Sequence, residues 1–175
     1  RLTLVWTGGV TGDTSRSWVW LSQPDDGGKT WSDPTEVYRG GTQAFFHLKT
    51  KGPHVYLTWH GGEGDTAGRI YWNASDVGGK SWRHPWNEPV RVDRAPNSNA
   101  APTRLAVAPD GDNMASTWRE GYSRVVLAVS RDRGKTWPLT DVTVMTEDGG
   151  NQLRNPQVAV AENAAYVLWE RWPDK

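Results

Sequence analysis

Apolar positions in this chain come in short runs, each closed by a turn signal. "TRLAVA" (103–108) leads into "PDGD", and "NMASTW" (113–118) into "REGY". "RVVLAVS" (124–130) and "DVTVMT" (141–146) follow, the last ending at "EDGG". The same series stands earlier as "QAFFHL", "HVYLTW", "RIYWNAS" and "PVRVD". β-branched and aromatic residues in runs this short, broken by Gly, Pro, Asp and Asn, predict antiparallel strands joined in meanders.

The series repeats. "LTLVW" ends at Trp6, "VYLTW" at Trp59, "MASTW" at Trp118 and "YVLW" at Trp169. A second marker runs beside it, in turns closed by Trp31, Trp82 and Trp137. Both recur roughly every 50 residues, the mark of a repeat architecture. We read one domain over 1–175, with units at about 1–40, 41–95, 96–150 and a partial 151–175. A repeated four-stranded meander predicts an all-β fold, a β-propeller of four-stranded antiparallel blades whose faces shield one another. The first unit lacks an inner strand, and the last holds "PQVAVA" and "YVLWE" before Lys175. The count is about 13 strands, or about three blades. That makes either a fragment of a longer ring or half of a six-bladed ring, completed by a second copy as a homodimer.

Composition changes this picture in few places. Only 36% of residues are hydrophobic, but 12 are Trp, and each ring buries a large area. The 19 Gly and 11 Pro leave little room for long helices. Twenty basic and 20 acidic residues are well mixed, so no stripe points to nucleic acid and no cationic face to a membrane. The absence of Cys excludes disulfides, thiol catalysis and zinc–thiolate sites. The four His lack close metal-ligand spacing, and nothing calls for a metal or cofactor. Asn73-Ala-Ser75 has the form of a glycosylation sequon, which often arises by chance. No signal peptide opens the chain. A mature secreted protein and an interior fragment would both look like this, so the compartment stays open, with a secreted or extracytoplasmic setting favoured over the cytoplasm.

The turn "SRDRGKTW" (130–137) has the form S-x-D-x-G-x-T-W, with Ser130, Asp132, Gly134, Thr136 and Trp137 in place. "PDDGGKTW" keeps Asp26, Gly28, Thr30 and Trp31 but has Pro24 at the serine position. "SDVGGKSW" keeps Ser75, Gly79, Ser81 and Trp82 but puts Val77 at the aspartate position, with Asp76 one residue early. This motif resembles the Asp-box, or BNR repeat, of sialidases and related propellers. The chemistry it needs is local. Asp and Ser oxygens accept bonds from nearby backbone N–H groups, Gly permits a positive φ, and Trp covers the hairpin. The resemblance implies that the boxes are structural and lie opposite the functional face.

On that other face we expect the loops at 39–43, 95–102 and 147–156, with those following the second strands. They carry Gln43, Asn99, Arg119, Glu120, Gln152, Arg154 and Glu170. The sialidase resemblance implies three arginines clamping a carboxylate, a tyrosine nucleophile with a glutamate partner, and an aspartate acid/base. Arg154-Asn155-Pro156 is similar to the family's R-I-P motif except in its middle residue. The catalytic candidates are Arg154, Glu120, Glu170 and Tyr122. The ligand-binding candidates are Arg104, Arg119, Gln152 and Trp172, with Trp86 and Trp172 standing outside the tryptophan register. No aspartate can be assigned as the acid. Each candidate has a plain alternative: Arg154 as a bridge between blades, Glu120 and Glu170 as solvated turn carboxylates, and Trp59, Trp118 and Trp169 as inter-blade packing. The expected function is a noncatalytic module that binds a glycan or protein, or serves as a scaffold. The alternative is an exo-sialidase or other glycoside hydrolase completed by other blades or a second chain.

Overall fold

A computed structural model describes residues 3–10, 13–24, 26–40, 45–61, 68–84, 88–94, 100–107, 112–147 and 149–173. These residues form strands and turns, with no helix among them. The first sheet joins β1 (Leu4–Val10), β2 (Asp13–Ser22) and β3 (Thr35–Gly40) in chain order. The second joins β4 (Phe45–Lys51), β5 (His54–Gly61), β6 (Arg69–Ser75) and β7 (Val90–Arg91). The third joins β8 (Ala100–Val107), β9 (Met114–Glu120), β10 (Arg124–Ser130) and β11 (Leu139–Thr146). β12 (Asn151–Ala161) and β13 (Ala164–Pro173) form a two-stranded pair. Every pairing is antiparallel.

The tryptophan register has a structural meaning. Trp6 pairs with Trp20, Trp59 with Tyr71, and Trp118 with Val126, so the three sit at one level of the three sheets. Alternation along a strand gives each sheet two faces. Trp59 and Leu57 of β5 turn one way and pack with Val19 and Leu21 of the first sheet. Tyr56 turns the other way with Ile70, Trp72 and Ala74, and meets Met114, Trp118, Val126, Ala128 and Trp137 of the third sheet. β8 packs on β4 and β5, and β12 packs on β8 and β9, so the sheets follow one another in chain order. Most of the core thus lies between sheets, where the apolar face of one covers the next.

The fourth strand expected over "PVRVD" is only two residues long. Beyond it, Val92 N–H still donates to Ile70 O (2.8 Å), but the Asp93 side chain takes over the return bond. Its carboxylate accepts from Ile70 N–H at 2.7 Å. Asp93 is fully buried, with Arg91 at 2.9 Å and Arg69 at 3.7 Å to balance its charge. An aspartate has replaced a rung of the ladder.

Candidate functional site

Consecutive antiparallel strands separate the turns into two ends. The boxes, between the third and fourth strands, lie at one end. The end of β5, the β9–β10 turn and the entry to β12 lie at the other.

The box end is a set of backbone clamps. In the third box Asp132 Oδ1 accepts from Thr136 N–H (2.9 Å) and Ser130 Oγ–H (2.7 Å), and Oδ2 accepts from Thr136 Oγ1–H (2.6 Å). Ser130 Oγ in turn accepts from Gly134 N–H at 2.8 Å. Burial works against the Asp132 charge, but the Thr136 and Ser130 bonds prevail and hold the carboxyl below its ordinary value. Asp26 repeats the clamp, accepting from Lys29 N–H, Thr30 N–H and Thr30 Oγ1–H. Those bonds, the Thr30 N–H first, lower its pKa as well. The second box keeps only the serine half, with Ser75 Oγ accepting from Gly79 N–H at 2.7 Å. Asp76 turns away to Arg83 (2.8 and 2.5 Å) and His54 (2.9 Å), and its pKa falls to about 2, chiefly through the Arg83 bonds. Gly28, Gly79 and Gly134 all have positive φ. Trp137 is buried and Trp82 half-buried, but Trp31 is exposed, contrary to the expectation that each box ring covers its hairpin. The Asn73 side chain is wholly buried and donates to His84 O, so the sequon's amide is not presented to solvent in the folded chain.

The opposite end gathers most of the sequence candidates. The β9–β10 turn presents Tyr122, exposed, after Gly121 at φ 57°. The carbonyl of Tyr122 accepts from Leu153 N–H at 2.7 Å, which ties this turn to β12. The Arg119 guanidinium lies 4.0 Å from the Tyr122 ring centre. Arg154 lies 5.8 Å from the same ring and 5.2 Å from that of Trp172, so two aromatic rings flank one cation. Gln152 Oε1 accepts from Arg154 Nε–H (3.1 Å) and Nη2–H (2.5 Å) and fixes the guanidinium plane. The register of β12 and β13 shifts between Arg154 and Gln157, and Asn155 stands at φ 47°. Such a bulge re-aims a side chain. Here Asn155 Nδ2–H donates to Glu170 Oε2 (3.0 Å), which also accepts from Trp172 Nε1–H (2.8 Å).

Glu120 is engaged elsewhere. It accepts from Arg124 at 2.9 Å and from the Trp118 indole at 3.3 Å, which makes it a strand-end anchor rather than a solvated turn carboxylate. Among the described residues no carboxylate lies within hydrogen-bond reach of the Tyr122 hydroxyl. Arg104 sits in β8 opposite Thr117, with its side chain outside the described residues. Gln43, Trp86 and Asn99 lie outside them altogether. Two residues escaped the sequence reading. One is Asn155. The other is Glu147, a buried carboxylate that accepts from Asn151, Gly149 N–H and Arg171 (2.7 Å) and is held below its ordinary pKa, by Asn151 first. "EDGG" reads as a turn, and nothing in it says that the first carboxylate points inward. Among the described residues no three His, Asp or Glu side chains gather to hold a metal ion.

No family model matches the chain, and no curated protein matches it. Solved structures do. An α-L-arabinofuranosidase, Arb93A of Fusarium graminearum, in complex with an iminosugar inhibitor, superposes with a TM-score of 0.60 at 15% identity. The match covers 98% of this chain and 59% of that one. The sialidase NanB of Streptococcus pneumoniae gives 0.54 at 13% identity, over 82% of this chain and 21% of that one. The sialidase of Trypanosoma rangeli gives 0.54 at 15% identity, over 97% and 27%. The chain therefore spans about three fifths of the arabinofuranosidase and about a quarter of each sialidase. At these identities the likeness is one of fold, a sialidase-like β-propeller fold.

Proposed function

We propose that the chain is a noncatalytic, glycan-binding propeller module that reads sugars with the cluster of Arg119, Tyr122, Gln152, Arg154 and Trp172. The observation that carries this reading is Arg154 held between the exposed rings of Tyr122 and Trp172. Exposed aromatic faces stack on sugar rings, and a guanidinium offers paired donors to hydroxyls or a carboxylate. The architectural neighbours act on, or were caught with, sugars and sugar mimics, which agrees with a glycan as the ligand. Catalysis needs more than binding. A tyrosine nucleophile requires an adjacent base, and the described residues supply none to Tyr122.

The test is titration calorimetry with sialyl and arabino-oligosaccharides, run beside turnover of fluorogenic sialosides and arabinofuranosides. Binding should weaken at least tenfold in Arg154→Ala and in Trp172→Ala, with no turnover by either variant or parent. A second reading is a glycoside hydrolase whose active site is completed by blades from elsewhere. It is favoured by one fact: a tyrosine, two arginines and Glu170 stand together at this end. Turnover by the parent chain that Arg154→Ala abolishes would establish it instead.

A further inference from the structure

The box motif S-x-D-x-G-x-T-W leaves its x positions free. At the first of them the first two boxes carry Asp25 and Asp76, and the third carries Arg131. At the next the first two carry Gly27 and Gly78, at φ 77° and 72°, and the third carries Arg133 at φ 62°. That left-handed backbone suits glycine and strains any residue with a side chain, so the clamp itself gains nothing from an arginine there. Both exchanges add positive charge to one turn. They do so at a cleft of about 390 Å³ between the second and third sheets, at the box end. Its volume is within the ~300–1,000 Å³ usual for small-molecule sites. Four cations line it: Arg83, Arg131, Arg133 and Lys135. Three carboxylates line it too, and each is already engaged. Asp76 binds Arg83 and His54, Asp112 binds Arg133, and Asp132 binds Thr136 and Ser130. Among the described residues no hydrogen bond or ion pair holds the exposed side chains of Arg131 and Lys135.

A second observation comes from beneath the cleft. Tyr56 stands two residues along β5 from His54, on the same face, and the two rings stack at 6.1 Å. Tyr56 is fully buried, and its hydroxyl has no hydrogen-bond partner among the described residues. Folded chains rarely leave such a group unpaired. Burial raises its pKa, so it stays a protonated donor, and the charges acting on it are those of Arg83, Arg133, Asp76 and Asp112, all on the cleft wall. Arg133 gives Asp112 only its Nε–H, which leaves the fork of its terminal nitrogens for an oxyanion. Arg83 donates to Arg133 O at 2.7 Å and ties this turn to the second sheet. We propose that the cleft binds a phosphate group, held by Arg131, Arg133 and Lys135 from the rim and by the Tyr56 hydroxyl from below. Two unpaired cations match a group that carries nearly two negative charges and three acceptor oxygens at neutral pH. The site is at the end opposite Arg154 and does not depend on the glycan reading.

Titration calorimetry at low salt tests the site, with inorganic phosphate and glycerol phosphate as probes and glycerol as the blank. The parent should bind phosphate in at least one form and ignore glycerol. Tighter binding of glycerol phosphate assigns the cleft to an esterified phosphate, and equal binding assigns it to the free ion; either supports the proposal. Arg131→Gln and Lys135→Gln change exposed groups without partners, so each should melt like the parent and bind about tenfold more weakly. Arg133→Gly gives the third turn the residue of the other two, so the fold should hold while binding falls at least tenfold. Tyr56→Phe breaks no bond in the free protein, so it should weaken binding severalfold without lowering the melting temperature. No heat from either phosphate at millimolar concentrations would overturn the proposal. So would affinities that Arg131→Gln and Arg133→Gly leave unchanged, since the phosphate would then sit elsewhere.

Discussion

A single box shows how one carboxylate can close a turn. Asp132 gathers two N–H or O–H donors from Thr136 and one from Ser130, and these bonds replace water on groups that a tight turn leaves unpaired. The site is partly exposed, so its loss is moderate: Asp132→Ala should cost about 1 kcal/mol in a denaturant titration. Trp137 is different, for its ring lies within the core between the second and third sheets. Trp137→Ala should cost roughly 3–5 kcal/mol, with a matching fall in denaturation midpoint. Asp76 makes the pH prediction. Its pKa is about 2 in the folded chain against 3.8 for the free side chain, so acid protonates the unfolded state first. The stabilisation is therefore complete above about pH 4 and drains away as the pH falls towards about 2. Asp76 is half exposed and solvent screens it, so the effect is small. It should appear as a flatter acid limb in the melting curve of Asp76→Asn than in that of the parent.

The strands show what alternation can and cannot say. β5, β6, β9 and β10 fall where the runs of β-branched and aromatic residues lie, because those side chains fill the space between two sheets whatever the loops do. β7 is cut to two residues because Asp93 offers Ile70 a carboxylate in place of a carbonyl, and a run such as "PVRVD" carries no sign of that exchange. The boxes were legible as turns, and so was the degraded state of the second. Val77 stands where Asp26 and Asp132 bind their turns, and its side chain lies in solvent. Val77→Asp should therefore restore the clamp to Ser81 at little apolar cost. The expected gain is about 1 kcal/mol, or roughly 2–4 °C in melting temperature for a chain of this size. An unchanged or lower melting temperature would mean that the Asp76–Arg83 pair has reshaped this turn beyond rescue.

At the scale of the molecule, the order of the sheets was legible because the tryptophan register repeats, but the composition of the candidate site was only half so. Arg154, Gln152, Glu170 and Trp172 lie close together in the sequence, whereas Tyr122 and Arg119 reach them only because the β9–β10 turn bonds to β12 across a sheet boundary. That meeting depends on how closely the third sheet approaches the β12–β13 pair; between the second and third sheets, glycine sets the approach at the box end. Gly134 stands at φ 76° against the Trp72 ring of the preceding sheet, so a Cβ there would strike the indole. Gly150 has a similar φ of 78° with open space around it. Gly150→Ala should thus measure the backbone penalty alone, about 1 kcal/mol. Gly134→Ala should add the cost of pushing two sheets apart, and interiors packed as tightly as crystals yield little. The difference between the two in urea unfolding, expected at about 1–3 kcal/mol, reads the stiffness of the sheet-to-sheet contact. If the two glycines responded alike, the second and third sheets would be free to slide past each other.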